Sequence, residues 1–130
     1  MTHDELVRFA ASKVGVEVEA VKTKRYFDPT YPDGSTIATA SFLFEEIISH
    51  YAIKGTRKRF DLTSPELMLK GMGVLPDYIS WDIDGDKSEQ YVNLVDLRKG
   101  DTNAARFWKT PKEIPLLFWQ CWAELEGGQG

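Results

Sequence analysis

The stretch YISWDIDGDKSEQYVNLVDL, residues 78–97, decides how this chain folds. Alternation places Ile79, Trp81 and Ile83 on one side of an extended segment. Asp84-Gly85 supplies a tight-turn signal, and QYVNLVDL, residues 90–97, returns with β-branched and aromatic residues. A β-hairpin over 78–97 is expected, and the flanking chain must cover its apolar face.

Upstream, Thr2 and Glu5 have the spacing of a capping box, and Leu6, Phe9, Ala10 and Val14 recur at the helical period until Gly15. A helix is expected over 4–14. Residues 16–27, VEVEAVKTKRYF, alternate Val16, Val18 and Ala20 with Glu17, Glu19 and Val21 and read as a strand, which DPTYPDGS, residues 28–35, turns. From Ala40, the residues Ala40, Leu43, Phe44, Ile47, Ile48 and Tyr51 fall at helical spacing opposite Glu45, Glu46 and Ser49. A second helix is therefore expected over 40–53, closed by Gly55. Thr63, Ser64, Pro65 and Glu66 start a further helix, held to about two turns by Gly71 and Gly73. Pro115 opens an apolar helix over 115–125 in which only Gln120 and Glu124 are polar, and residues 126–130 form a flexible tail. The expected fold is a small single α+β domain over 1–130, with the hairpin and the strand near 16–27 packed against helices at 4–14, 40–53 and 115–125.

Composition sets outer bounds. A chain of 130 residues, 42% hydrophobic, 12% aromatic and 28% charged, is built like a globular domain and is too apolar for intrinsic disorder. Its longest uncharged apolar run, Ile114 to Ala123, is about half of what a bilayer demands. The start MTHDELVRF carries acids where a secretory signal needs bases. A soluble, cytoplasmic protein with no membrane attachment is expected, and the single Cys121, which has no internal disulfide partner, suits a reducing compartment. The net charge of −4, from 16 Lys plus Arg against 20 Asp plus Glu, gives no overall attraction for nucleic acid or anionic lipid. Bases nevertheless gather at Lys22, Lys24, Arg25 and at Lys54, Arg57, Lys58, Arg59, and acids at Asp77, Asp82, Asp84, Asp86 and Glu89. A dipolar surface is expected.

The patterns that carry chemistry elsewhere fall short here. Residues 82–93 space Asp82, Asp84 and Asp86 like a calcium loop, but Lys87 stands where that loop needs glycine and Asn93 where it needs a bidentate Glu. Pro76-Asp77 followed by Asp96-Leu97-Arg98-Lys99 resembles the magnesium-dependent PD-(D/E)xK nucleases, a resemblance that would implicate Asp77 and Asp96. Arg98 occupies the place of their lysine, and a guanidinium does not give up its proton. His3 and His50 lack partners at zinc spacing, and Cys121 among Phe118, Trp119 and Trp122 reads as a buried neutral thiol. Gly71 and Gly73 make no phosphate loop, because Pro76 replaces its last glycine, and read as a helix stop. No catalytic residue, metal or cofactor is expected.

The surface is what remains. In TRKRFDL, residues 56–62, an extended chain sets Arg57, Arg59 and Asp61 on one face and Lys58, Phe60 and Leu62 on the other. Lys24 and Arg25 beside Tyr26 and Phe27 add to a basic-aromatic mixture suited to single-stranded nucleic acid or phosphate ligands. The C-terminal end of the expected 40–53 helix gives the same cations a purely structural reason. Phe107 and Trp108, flanked by Arg106 and Lys109, are expected at the surface as partner anchors.

Residues 40–98 resemble winged-helix domains, including those at the ends of some phage and plasmid primases, through SFLFEEIISHYAIKG, a short basic strand, SPELMLKGMGV and a hairpin ending YVNLVDLRK. The resemblance implies a winged-helix-like core. With only Lys70 offered to base edges and an acidic wing, it departs from ordinary DNA reading. The expected function is a non-catalytic interaction module, in the style of a small bacterial or phage accessory protein. It would meet a protein partner through Lys24, Arg25, Arg57, Lys58, Arg59, Phe107 and Trp108. The alternatives are nucleic-acid or phosphate-ligand binding through the basic-aromatic edge, and a divergent magnesium-dependent nuclease.

Overall fold

Three helices and two antiparallel sheets make an α+β fold in the structure, a computed structural model that describes residues 1–26, 44–85, 90–100 and 102–127. The chain divides into two compact units, Val18–Phe60 and Met1–Glu17 with Asp61–Gly130. The expected turn at 28–35, Phe27, residues 40–43, Asp86, Glu89 and the tail beyond residue 127 lie outside the described residues.

The smaller unit is built on a hairpin. Strand β1 (Val18–Tyr26) pairs antiparallel with β2 (Phe44–Ile53), from Val18 opposite Ile53 to Tyr26 opposite Phe44, with a bulge after Val21. β2 corrects the helix expected over 40–53. Helical spacing would align Phe44, Ile47, Ile48 and Tyr51 on one buried stripe, but these are also strong strand formers, and a second strand of like composition is there to pair with them. Ile47 and Ile48 are consequently 37% and 46% exposed. The winged-helix-like core loses its first helix by the same observation. Beyond Gly55, which takes φ 78°, the chain folds back on β2: Ile53 N–H donates to the Lys58 carbonyl at 2.9 Å and Phe60 N–H to that of Tyr51 at 2.8 Å. Among the described residues of this unit, Val18, Tyr51, Ala52 and Phe60 are the buried apolar ones.

The larger unit is organised around one helix. Helix α1 (His3–Val14) begins with the expected capping box, Glu5 N–H donating to Thr2 Oγ1 at 3.1 Å, and ends at Gly15 in the left-handed region. Helix α2 (Pro65–Gly73) is capped by Ser64, whose hydroxyl accepts from Leu67 N–H. Strands β3 (Ile79–Gly85), β4 (Gln90–Asp96) and β5 (Thr102–Phe107) form one sheet in the order β3-β4-β5. The expected strand pairing is therefore present, and Asp84 and Gly85, read as the turn signal, are themselves paired with Tyr91 and Gln90. The third strand, β5, is an addition to the expectation.

Helix α3 (Ile114–Glu126) packs on β4 and β5 and contributes Pro115, Phe118, Trp119, Cys121, Trp122, Ala123 and Leu125 to the core. Trp119 stacks on Trp122 with ring centroids 5.7 Å apart, Phe118 meets Trp119 edge-on at 5.0 Å, and Phe9 of α1 meets Trp122 edge-on at 5.6 Å. Each large apolar side chain so buried stabilises the fold by roughly 1.5–3 kcal/mol. Gly71 is part of this packing: a Cβ there would collide with the Trp119 ring. The helix ends at Gly73 after about two turns, as expected of this glycine pair, and Gly71 has the further role of the point of close approach between α2 and α3.

The two glycines should respond oppositely to alanine. Gly71→Ala should lower the unfolding free energy by about 1–3 kcal/mol through overpacking against Trp119. Gly73→Ala, with nothing within 4 Å of its Cβ, should leave stability unchanged or raise it by up to about 1 kcal/mol through helix propensity. Urea unfolding of the two variants reads the difference.

Candidate functional site

Strand register divides the β3-β4-β5 sheet into two faces. Ile79, Trp81 and Ile83 align with Asp96, Leu94 and Val92, and Ala104 and Arg106 continue those rows on β5. This is the face that α3 covers: Cys121 Sγ donates to the Val92 carbonyl at 3.6 Å and Arg106 pairs with Glu124 at 3.3 Å. Trp81 shares that face but stands half exposed because β3 is an edge strand.

The opposite face presents the row Asp84, Tyr91, Phe107, followed by the row Asp82, Asn93, Ala105. Tyr91 Oη donates to Asp82 Oδ2 at 3.0 Å, and Asn103 Nδ2 donates to Asn93 Oδ1 at 3.0 Å. The Tyr91 and Phe107 rings meet edge-on, 6.4 Å between centroids, and Phe107 is 74% exposed. Two carboxylates and two aromatic rings thus share one face whose described residues include no base. Ring faces and carboxylates both attract cations, so this surface is chemically suited to Lys or Arg side chains.

The residues expected to bind a partner divide sharply. Phe107 is exposed as expected, but Trp108 is 9% exposed, which corrects its placement at the surface. Successive strand positions point to opposite sides, so the chain that turns Phe107 outward turns Trp108 inward over Gly85, where a Cβ would lie 3.1 Å from the indole. Trp108 N–H extends the ladder by donating to the Gln90 carbonyl at 3.0 Å. Lys24 and Arg25 stand opposite Glu46 and Glu45, with Arg25 Nε 3.2 Å from Glu45 Oε1, so this part of the basic edge is locally balanced. Arg57, Lys58 and Arg59 are all exposed and form no ion pair among the described residues. Because residues 44–53 are a strand, no helix C-terminus accounts for these cations. Phe60, next to Arg59 in the sequence, is 5% exposed.

The other motifs resolve into packing and local structure. Asp96 is 1% exposed; its Oδ1 accepts from Arg98 N–H at 2.9 Å and Nε at 3.2 Å, and its Oδ2 from Nη2 at 3.1 Å. The same guanidinium lies 3.4 Å from the Tyr78 ring centroid, and the hydrogen bonds it donates to Asp96 raise its pKa above the ordinary value. Both oxygens of the carboxylate that the nuclease resemblance implicates are thus engaged by Arg98, Oδ1 also capping the 3-10 turn Leu97–Lys99, while Asp77 is exposed. Burial pushes the Cys121 thiol up to about 11. A cleft of about 440 Å³ at the start of α1 is lined by His3, Leu6, Arg106, Leu116, Gln120 and Glu124, with Arg106 held by Glu124. Among the described residues no group of three or more His, Cys, Asp or Glu is arranged to hold a metal, and no helix is long and apolar enough to cross a membrane.

Phe107 was legible in the sequence, and the face it belongs to was not. TNAARF is too short and too weakly alternating to declare a strand, and without β5 nothing joins Phe107 to Tyr91. Comparison with protein-family models, curated proteins and solved structures returns no match to this chain.

Asp96→Ala should cost about 1–2 kcal/mol of stability, the usual loss on removing a capping side chain, measured by thermal unfolding. In the folded protein the Cys121 thiol should not react with a thiol reagent at pH 8, where burial keeps it protonated, and should react fully once urea is added.

Proposed function

We propose that this chain is a non-catalytic interaction module that binds a protein partner through a surface on which opposite charges are kept apart. The observation that carries the reading is the sheet face on which Phe107, 74% exposed, meets Tyr91 beside Asp82 and Asp84. An exposed aromatic anchored by a second ring is the kind of residue that dominates binding energy once water is excluded around it. Covering Phe107 alone would contribute roughly 1.5–3 kcal/mol, or about one to two powers of ten in affinity.

One observation favours a second reading, nucleic-acid or phosphate binding through Arg57, Lys58 and Arg59, because these cations lack local counter-charges among the described residues. Burial of Phe60 leaves that run without its stacking ring, so phosphate contact would be its main resource. Three such contacts on duplex DNA predict a log-log salt slope of about −2.7.

Affinity isolation from native-host extract, with wild type and Phe107→Ser side by side, separates the two. A stoichiometric protein retained by wild type and weakened 10- to 100-fold by Phe107→Ser supports the module. DNA binding with the stated slope, no protein being retained, overturns it in favour of the second reading.

A further inference from the structure

We infer that the partner of the acidic-aromatic sheet face is a second copy of this chain, whose Arg57-Lys58-Arg59 run docks across the row Asp84, Tyr91, Phe107. The inference rests on the proposed interaction reading and names its occupant. The two surfaces are chemically complementary: Arg57, Lys58 and Arg59 form no ion pair among the described residues, and the aromatic face includes carboxylates and, among its described residues, no base.

Dimensions agree as well. Three strands at about 4.8 Å spacing place the outer members of the row about 10 Å apart, and two long guanidinium side chains whose Cα atoms are at most about 7 Å apart can reach both ends. A guanidinium at one end can lie over Phe107 or Tyr91 while another reaches Asp82 at the other end, combining cation–π attraction with charge-assisted hydrogen bonds. Asp82 spends one acceptor site on Tyr91 Oη, and a carboxylate has about four.

The two patches are different surfaces, so pairing them leaves a free run on one copy and a free face on the other. Association is then head to tail, and it continues into rings or open chains instead of stopping at a two-fold dimer. It also weakens as salt screens the charges.

Sedimentation equilibrium of the full chain tests this with two variants. The run variant carries Arg57→Ser, Lys58→Ser and Arg59→Ser; the face variant carries Asp82→Asn, Asp84→Asn and Phe107→Ser. All six positions are exposed or on the uncovered face, and an unchanged urea midpoint checks that each variant folds. Wild type should gain mass with concentration and associate about tenfold more weakly at high salt. Each variant alone should stay monomeric, and an equimolar mixture should form a dimer that grows no further, because only one run and one face remain between them. A monomeric wild type, variants that associate as wild type does, or a mixture that fails to pair overturns the inference. If wild type is monomeric yet a foreign protein is held through Phe107, the self-docking inference falls and the interaction reading stands; if neither occurs, both fall.

Discussion

Packing of α3 against the β3-β4-β5 sheet is the constraint from which the larger unit is built. Trp119 and Trp122 stack within that helix, and Phe118 fills the angle beside them. Val92, Leu94 and Ala104 supply the facing side of the sheet, and α1 and α2 close on the remaining flanks of the helix. Such a cluster tolerates little change of volume, which is why α2 brings a glycine to its closest point. A helix apolar on nearly every side is stable in water only when covered on nearly every side.

Because α3 occupies one face of the sheet, the other is left for the surface. The same strand geometry that turns Arg106 and Trp108 toward the helix side directs Phe107 and Tyr91 away from it. The aromatic pair is thus a by-product of register, and its acidic neighbours Asp82 and Asp84 arrive by the same alternation on β3. Function, in this reading, is placed by the strand period and not by any catalytic motif.

Electrostatics separate the two basic stretches that look alike in the sequence. In the hairpin of the smaller unit, cross-strand pairing brings Glu45 and Glu46 opposite Arg25 and Lys24, and exposed ion pairs of that kind contribute at most about 1 kcal/mol while removing the local field. Arg57, Lys58 and Arg59 follow a left-handed turn at Gly55, beyond the acidic part of β2, and keep their charge available. Similar composition therefore leads to different surface potential, decided by which strand lies alongside.

Where local chemistry was enough, the sequence was readable. The Thr2–Glu5 box and Gly15 bounded α1, Ser64-Pro65 opened α2, Pro115 and the apolar run marked α3, and alternation across Ile79, Trp81 and Ile83 announced the hairpin, because caps and periodicity act over a few residues. Residues 44–53 and 102–107 were decided elsewhere. A strand has no hydrogen bonds of its own to complete, so its identity rests on a partner that the local pattern does not contain. The candidate site followed the same division: exposure of Phe107 and of the Arg57-Lys58-Arg59 run was legible, whereas burial of Trp108 and Phe60, balance at Arg25 and the joining of Phe107 to Tyr91 came only with tertiary pairing. The chain by itself determined its helix ends and its charge runs; which face each strand showed to water was decided by what packed on the other.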